Sequence, residues 1–384
     1  MKHLVFIFFV IFQTAGFSQA LRDINYSYLY NPNQPFTFSM KPVRQADEWR
    51  VFYSLQVKDT TKRYSIQWEM RNALSDKEGK PVTAAESLVA IQGVYSGRVS
   101  IGMSSVVQIL VAKVINLDAK QAWLFYGLLE PNYPANGYLI HQQTVVQTPY
   151  INLGKRVTVQ MPSAPSIVSF YSEDFPTAAP AFSETQARVH QGIRSDSTFL
   201  VSEGEEVSFT FPGLYLVQKD TSAADGLAFR AQDDYPRLAR LETLAGPLVY
   251  ICTKQEYERI KAAQGDKKAF DRVILSVTGD AERAKTFMRS YFRRVELANQ
   301  YFTSYKEGWK TDRGMIYIIF GLPEEVYKFA DREVWTYKNA FYKVTFNFAK
   351  SSTLFDPDNF VLIRDKKYQN TWYEVIDLWR NARF

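Results

Sequence analysis

The chain has 384 residues, 46% of them hydrophobic, 15% aromatic and 22% charged, with a formal net charge of +6. A single cysteine, Cys252, excludes an intramolecular disulfide. The basic pairs Lys267-Lys268, Arg293-Arg294 and Lys366-Lys367 are scattered among acids, which speaks against the basic stripe of a nucleic-acid-binding protein and reads as solvated faces.

The first twenty residues carry Lys2 and His3, an apolar run from Leu4 to Phe12, and the small-residue stretch Ala15-Gly16-Phe17-Ser18-Gln19-Ala20. That layout predicts a cleavable secretory signal over residues 1–20, with cleavage after Ser18 and after Ala20 both satisfying the small-residue rule. The run is shorter than the roughly 20 apolar residues a bilayer crossing needs. Nor is a spanning segment expected later, because Val106 to Leu117 is short and holds Gln108 and Lys113.

Period-two alternation follows, in Phe36, Phe38 and Met40, then Val51, Tyr53, Leu55 and Val57, then Tyr64, Ile66, Trp68 and Met70. Half-buried antiparallel strands have this pattern, and turn residues at Asn31-Pro32-Asn33, Lys58–Thr61 and Asp76–Gly79 punctuate them. Further strands are expected at Val106–Asn116, Gln121–Leu129, Tyr138–Gln147, Arg156–Met161 and Ile167–Tyr171. After a loop or linker at Glu173–Ala187, the pattern resumes at Thr198–Ser202, Val207–Phe211, Gly213–Val217 and Leu227–Ala231. One large sandwich or two smaller ones would accommodate these strands; ordinary domain size favours two, at residues 21–105 and 106–235.

Beyond Pro236 the period becomes helical. Leu238, Leu241 and Leu244 share helical spacing, and Leu248–Cys252 reads as a strand. Thr253-Lys254-Gln255-Glu256 matches a capping box, and a helix is expected at Lys267–Val277. Asp280 caps a long helix to about Tyr301, with the stripe Ala284, Phe287, Tyr291, Val295, Ala298 and Phe302 facing a core and Arg283, Lys285, Arg289, Arg293, Arg294 and Glu296 opposite. Next come a strand at Met315–Phe320, a turn at Gly321-Leu322-Pro323, strands at Val326–Phe329, Glu333–Tyr337, Phe341–Phe348 and Phe360–Arg364, and a closing helix from Thr371 to Arg380. The fold class expected is multidomain: N-terminal antiparallel β-sandwich modules followed by an α+β domain at residues 236–384.

The segment Gly308-Trp309-Lys310-Thr311-Asp312-Arg313-Gly314 is the most distinctive in the chain. It has a structural reading in which Gly308 ends a helix in the left-handed conformation and Gly314 opens the next strand. In this reading Trp309 wedges between helix and sheet, Thr311 or Asp312 bonds backbone N–H groups, and Arg313 meets a carboxylate. A functional reading instead makes Trp309, Asp312 and Arg313 the wall of a binding pocket. Other constellations are weak. His141, His190 and Cys252 are far apart for zinc, and Asp356-Pro357-Asp358-Asn359 lacks the spacing of a calcium loop. Ser96 is one residue off nucleophile-elbow spacing, and Glu205-Glu206 and Glu324-Glu325 read as surface acids. Neither a catalytic residue nor a metal or cofactor is expected.

The run Gly308–Gly314, with Met315–Pro323 after it and Val334-Trp335-Thr336-Tyr337 beyond, resembles the GWxTD domain family of secreted proteins of Bacteroidota and related bacteria. The resemblance implies a Gram-negative envelope protein, periplasmic or associated with the outer membrane, and implies no activity. The function expected is envelope binding or scaffolding with protein partners. The alternative is an enzyme or binding protein acting on envelope glycan, an anionic one included.

Overall fold

The computed structural model describes residues 19–84, 89–91, 93–131, 135–162, 165–172, 174–184, 193–263 and 265–384. Most of the expected signal segment, His190 and parts of the expected linker lie outside them. Three units follow one another along the chain.

Strands β1 (Phe36–Gln45), β2 (Glu48–Val57), β3 (Tyr64–Arg71), β4 (Lys80–Val82), β5 (Val89–Ile91), β6 (Val94–Gly102), β7 (Gln108–Asn116) and β8 (Gln121–Leu129) form two antiparallel sheets. Their orders are β1-β2-β6-β5 and β4-β3-β7-β8. Between the sheets lie Trp49, Val51, Tyr53, Trp68, Val99 and Leu110, the inward residues of the two-residue repeat. A boundary at residue 105 is therefore crossed by pairing, because β7 runs alongside β3 over its whole length, from Tyr64↔Asn116 to Arg71↔Ile109. In β7, Ile109, Leu110, Val111 and Ala112 are all buried. Leu110 and Ala112 face the sandwich core, while Ile109 and Val111 belong to the core of the C-terminal unit, so a near-continuous apolar strand here means burial on both faces.

The second unit uses β9 (Tyr138–His141), β10 (Thr144–Val145), β11 (Tyr150–Asn152), β12 (Arg156–Gln160), β13 (Ser166–Tyr171), β14 (Ser197–Val201), β15 (Glu206–Ser208), β16 (Gly213–Gln218) and β17 (Leu227–Gln232). The sheets run β10-β9-β12-β15 and β11-β17-β16-β13-β14, with β11 and β17 parallel. Every residue of β16 is buried: Tyr215 and Val217 enter the inter-sheet core, and Leu214 and Leu216 pack with Phe175, Tyr305 and Phe355. The expected linker is a buried strap where it is described, with Phe175 and Ala181 almost fully covered and Ala178 N–H donating to the Lys310 carbonyl at 3.0 Å.

The third unit holds α1 (Leu241–Leu244), α2 (Lys254–Ala262), α3 (Lys267–Thr278), α4 (Ala281–Phe302), α5 (Asp312–Phe320), the antiparallel sheet β18 (Glu325–Lys328), β19 (Arg332–Lys338), β20 (Lys343–Lys350), β21 (Phe360–Leu362), and α6 (Gln369–Arg380). The capping box at Thr253 and Glu256 closes in both directions, and the Asp280 side chain accepts the Arg283 N–H at 2.9 Å. Two strand expectations give way to helix. Leu248, Val249 and Tyr250 lie in a 3-10 turn, Gly246–Tyr250, with Pro247 at its start, and Ile251 and Cys252 follow it in a turn and bend. Met315–Phe320 is the body of α5, whose apolar residues are buried all round, and a run so short has no periodicity to separate helix from strand. Arg294 also departs from the solvated face: it is half-buried, donates to the Ile318 and Ile319 carbonyls at 3.2 and 3.1 Å, and stacks 4.5 Å over Trp379.

The chain start closes this third unit. Leu21, Ile24, Tyr26 and Tyr30 are part of its core. Tyr26 N–H donates to the Val326 carbonyl at 2.7 Å, and the Asn25 side chain accepts the Val326 N–H at 3.0 Å, so residues 25–26 are fastened to the outer edge of β18.

Candidate functional site

The 308–314 segment joins the end of α4 to α5, and close backbone approach explains its glycines. A β-carbon on Gly308 would lie 2.1 Å from the Ala298 carbonyl oxygen, and one on Gly314 would lie 1.8 Å from that of Gly308. Gly308 is therefore small for packing and does not adopt the left-handed conformation, while Gly314 lies in the first turn of α5 and opens no strand. Thr311 is the N-cap: its Oγ1 accepts the Gly314 N–H at 3.0 Å and donates to the Gly308 carbonyl at 2.7 Å.

Asn299, fully buried on the inner face of α4, ties the segment down. Its Oδ1 accepts the Trp309 N–H at 3.0 Å, and its Nδ2 donates to the Pro236 carbonyl at 2.9 Å. Gly308 N–H donates to the Tyr235 hydroxyl at 3.1 Å, and the Tyr250 hydroxyl donates to the Trp309 carbonyl at 2.9 Å. Trp309 itself is only 7% exposed.

Three buried charge clusters surround this joint. The Asp312 carboxylate accepts the Leu362 N–H at 2.8 Å and pairs with Arg364 at 2.5 Å, and Arg364 also donates to the Ala179 carbonyl at 3.0 Å. Arg313 reaches Glu333 at 3.3 Å and lies 4.5 Å over Phe360. Glu333 also receives Lys328 at 3.4 Å and the Trp335 indole N–H at 3.1 Å. Glu307 meets Arg230 of the second unit at 3.1 Å and Lys310 at 3.0 Å, and Lys310 in turn pairs with Asp174 on the strap. Burial alone would push the carboxyls of Glu307 and Glu333 up; Arg230 and Lys310 pull the first below its ordinary range, as Arg313 and Lys328 do the second. Both Asp312 oxygens and the Trp309 ring are thus occupied inside the protein, and a ligand pocket built on Trp309, Asp312 and Arg313 has no free groups to offer.

Among the described residues no group of three His, Cys, Asp or Glu side chains could hold a metal ion, and no helix is long and apolar enough to cross a membrane. Burial pushes the Cys252 thiol up to about 12. His141 lies on β9, its Nδ1 2.8 Å from the Arg156 carbonyl oxygen. Ser96 is in mid-strand on β6, opposite Ser54. Glu205 accepts the Ser202 N–H at 2.9 Å, and Glu325 pairs with Lys338 at 2.9 Å. Asp356 closes a turn with Thr353, and its Oδ1 accepts the Asp358 N–H at 3.0 Å.

Sequence reasoning missed Asn299, Tyr235, Glu307, Glu333 and Arg364. Asn299 carried a signal, standing beside Ala298 on the apolar stripe of α4 where a polar residue needs a partner. The charged residues carried none, because their partners are far apart in sequence.

The GWxTD domain model matches residues 213–381, which begins at β16 and ends just after α6. No curated protein matches the chain. Among solved structures, a chimeric titin Z1Z2-Z1Z2 tandem carrying an exogenous peptide from fibronectin is similar at 10% identity. The match covers 52% of this chain and 98% of that one with a TM-score of 0.18, too low to carry an argument.

Proposed function

Because residues 213–381 are a GWxTD domain, we propose that the protein is an exported cell-envelope component that binds or scaffolds other envelope proteins in a Gram-negative bacterium of the Bacteroidota type. The observation that carries this reading is the joint at residues 308–314. Its polar groups fasten α4, α5, the strap and, through Glu307 and Arg230, the second unit to one another. A motif engaged in this way fixes the relative positions of modules, which is what a platform for partners requires. The charge, apolar run and small residues at the start of the chain support export.

Fractionation of the native host tests the proposal, with crosslinking in intact cells followed by native gel separation. The expected result is a chain beginning at Gln19 or Leu21 in the envelope fraction, migrating in an assembly larger than its own mass. Recovery of Met1-initiated chain from the cytoplasm, or of an uncrosslinked monomer from the envelope, would overturn it.

A further inference from the structure

A cleft of about 530 Å³ opens where the three units meet, within the usual range for small-molecule sites. Its walls come from β1 and β8 of the first sandwich, the β17 approach of the second, the end of α4, and the turn at Leu354–Asp358. An adjoining recess of about 210 Å³ shares Met40, Pro42, Leu128 and Asp358 with it and is lined by Tyr26.

Unpartnered polar groups line both the cleft and the recess. The Tyr26 hydroxyl has no hydrogen-bond partner although Tyr26 is 1% exposed, and Gln147 Oε1, on the wall of the main cleft, is buried without a donor. Leaving such groups unmatched costs roughly 1–3 kcal/mol each. Lys41 donates to the Val146 carbonyl at 3.2 Å, while Lys350 bridges Glu130 and Asp358 at 3.1 Å each.

The mixture of charges selects the ligand class. A free anion entering the cleft would meet the carboxyls of Glu130, Asp356 and Asp358; a bare cation would meet Lys41, and would find Glu130 and Asp358 already paired with Lys350 behind them. A neutral ligand bearing many hydroxyls escapes both penalties, supplying donors to the carboxyls and Gln147 Oε1 and acceptors to Lys41. Met40, Pro42 and Tyr301 provide the apolar surface that the C–H faces of a sugar ring would cover. We infer that this three-way cleft binds a short neutral oligosaccharide, with Asp356, Asp358 and Gln147 meeting ring hydroxyls and the Tyr26 hydroxyl meeting the end that enters the recess.

The test is isothermal titration calorimetry of the purified chain, residues 19–384, against neutral gluco-, manno-, galacto- and N-acetylglucosamine trisaccharides, with inorganic phosphate and calcium chloride as controls. At least one trisaccharide should bind. Gln147→Leu and Asp358→Asn should each weaken it about tenfold without lowering the melting temperature, and Tyr26→Phe should weaken it less. Asp358 is largely exposed, so its variant folds in any case. Absence of heat from every trisaccharide, undiminished binding in the Gln147 and Asp358 variants, or tighter binding of phosphate or calcium would each overturn the inference. The measurement uses isolated protein in solution, so its outcome is separate from whether the chain is an envelope scaffold.

Discussion

A methyl group on Gly314 would fall inside the van der Waals surface of the Gly308 carbonyl oxygen, so α5 would have to move away from the turn at residues 308–310 to admit it. Gly314→Ala should therefore cost about 3 kcal/mol or more, beyond the range of ordinary overpacking, read as a drop in the urea midpoint. Asp356 behaves differently. Burial and then the charge of Asp358 push its carboxyl up to about 6, against the help of Arg313 and Ser304. A native pKa above the unfolded one means the folded state holds the proton more tightly, so stability falls as pH rises from about 4 to about 6. Asp356→Asn keeps an oxygen for the Asp358 N–H and removes the charge. It should raise stability at pH 7 by about 1–3 kcal/mol and flatten the pH dependence of the melting temperature across that window. A native sequence that tolerates this acid is consistent with a role for it in the cleft.

Helices show how far pattern carries and where it stops. The helices α2, α3, α4 and α6 are legible from a cap or an apolar stripe, as at Thr253, Asp280 and the Trp372, Val375, Ile376 and Trp379 stripe. The helix α5 is not legible, because its identity rests on Thr311 as N-cap and on side chains from elsewhere that satisfy its last carbonyls. Arg294 and the Trp379 indole both reach Ile319, and the Tyr342 hydroxyl reaches Phe320 at 3.0 Å. The same limit hid the charge clusters of the joint, each assembled from residues on different elements. At α2, Glu256 is held at about 2, chiefly by its hydrogen bonds from Arg380 at 2.8 and 2.9 Å, which tie α6 to the start of α2. A depressed carboxyl contributes stability that is present above its unfolded pKa and lost as pH falls toward 2. Glu256→Gln should thus cost about 2–3 kcal/mol at pH 7 and almost nothing near pH 2, measured by denaturant titration at both values.

Across the whole molecule, the alternation of strands and helices announced β units followed by an α+β unit, while the contacts that bind these units were invisible to it. Ile109 and Val111 read as ordinary strand residues, and only the fold shows that they face the third unit. The start of the chain is the strongest case, since Leu21 is fully buried in a core whose other members lie mostly beyond residue 240. Leu21→Ala should lower the stability of the third unit by about 2–5 kcal/mol, as core truncations do, with hydrogen exchange accelerating in α5 and β18.

The bonds from Asn25 and Tyr26 to Val326 join segments 301 residues apart in the chain. At about 5–20 residues per second, ribosomes deliver the second half of that contact many seconds after the first. Until then the leading segment can meet the first sandwich, where Tyr26 packs 5.6 Å from Tyr126 and Arg22 N–H donates to the Leu74 carbonyl at 3.1 Å. Closing the contact therefore needs an encounter across the whole of both β units, which makes it a late, long-range event in folding.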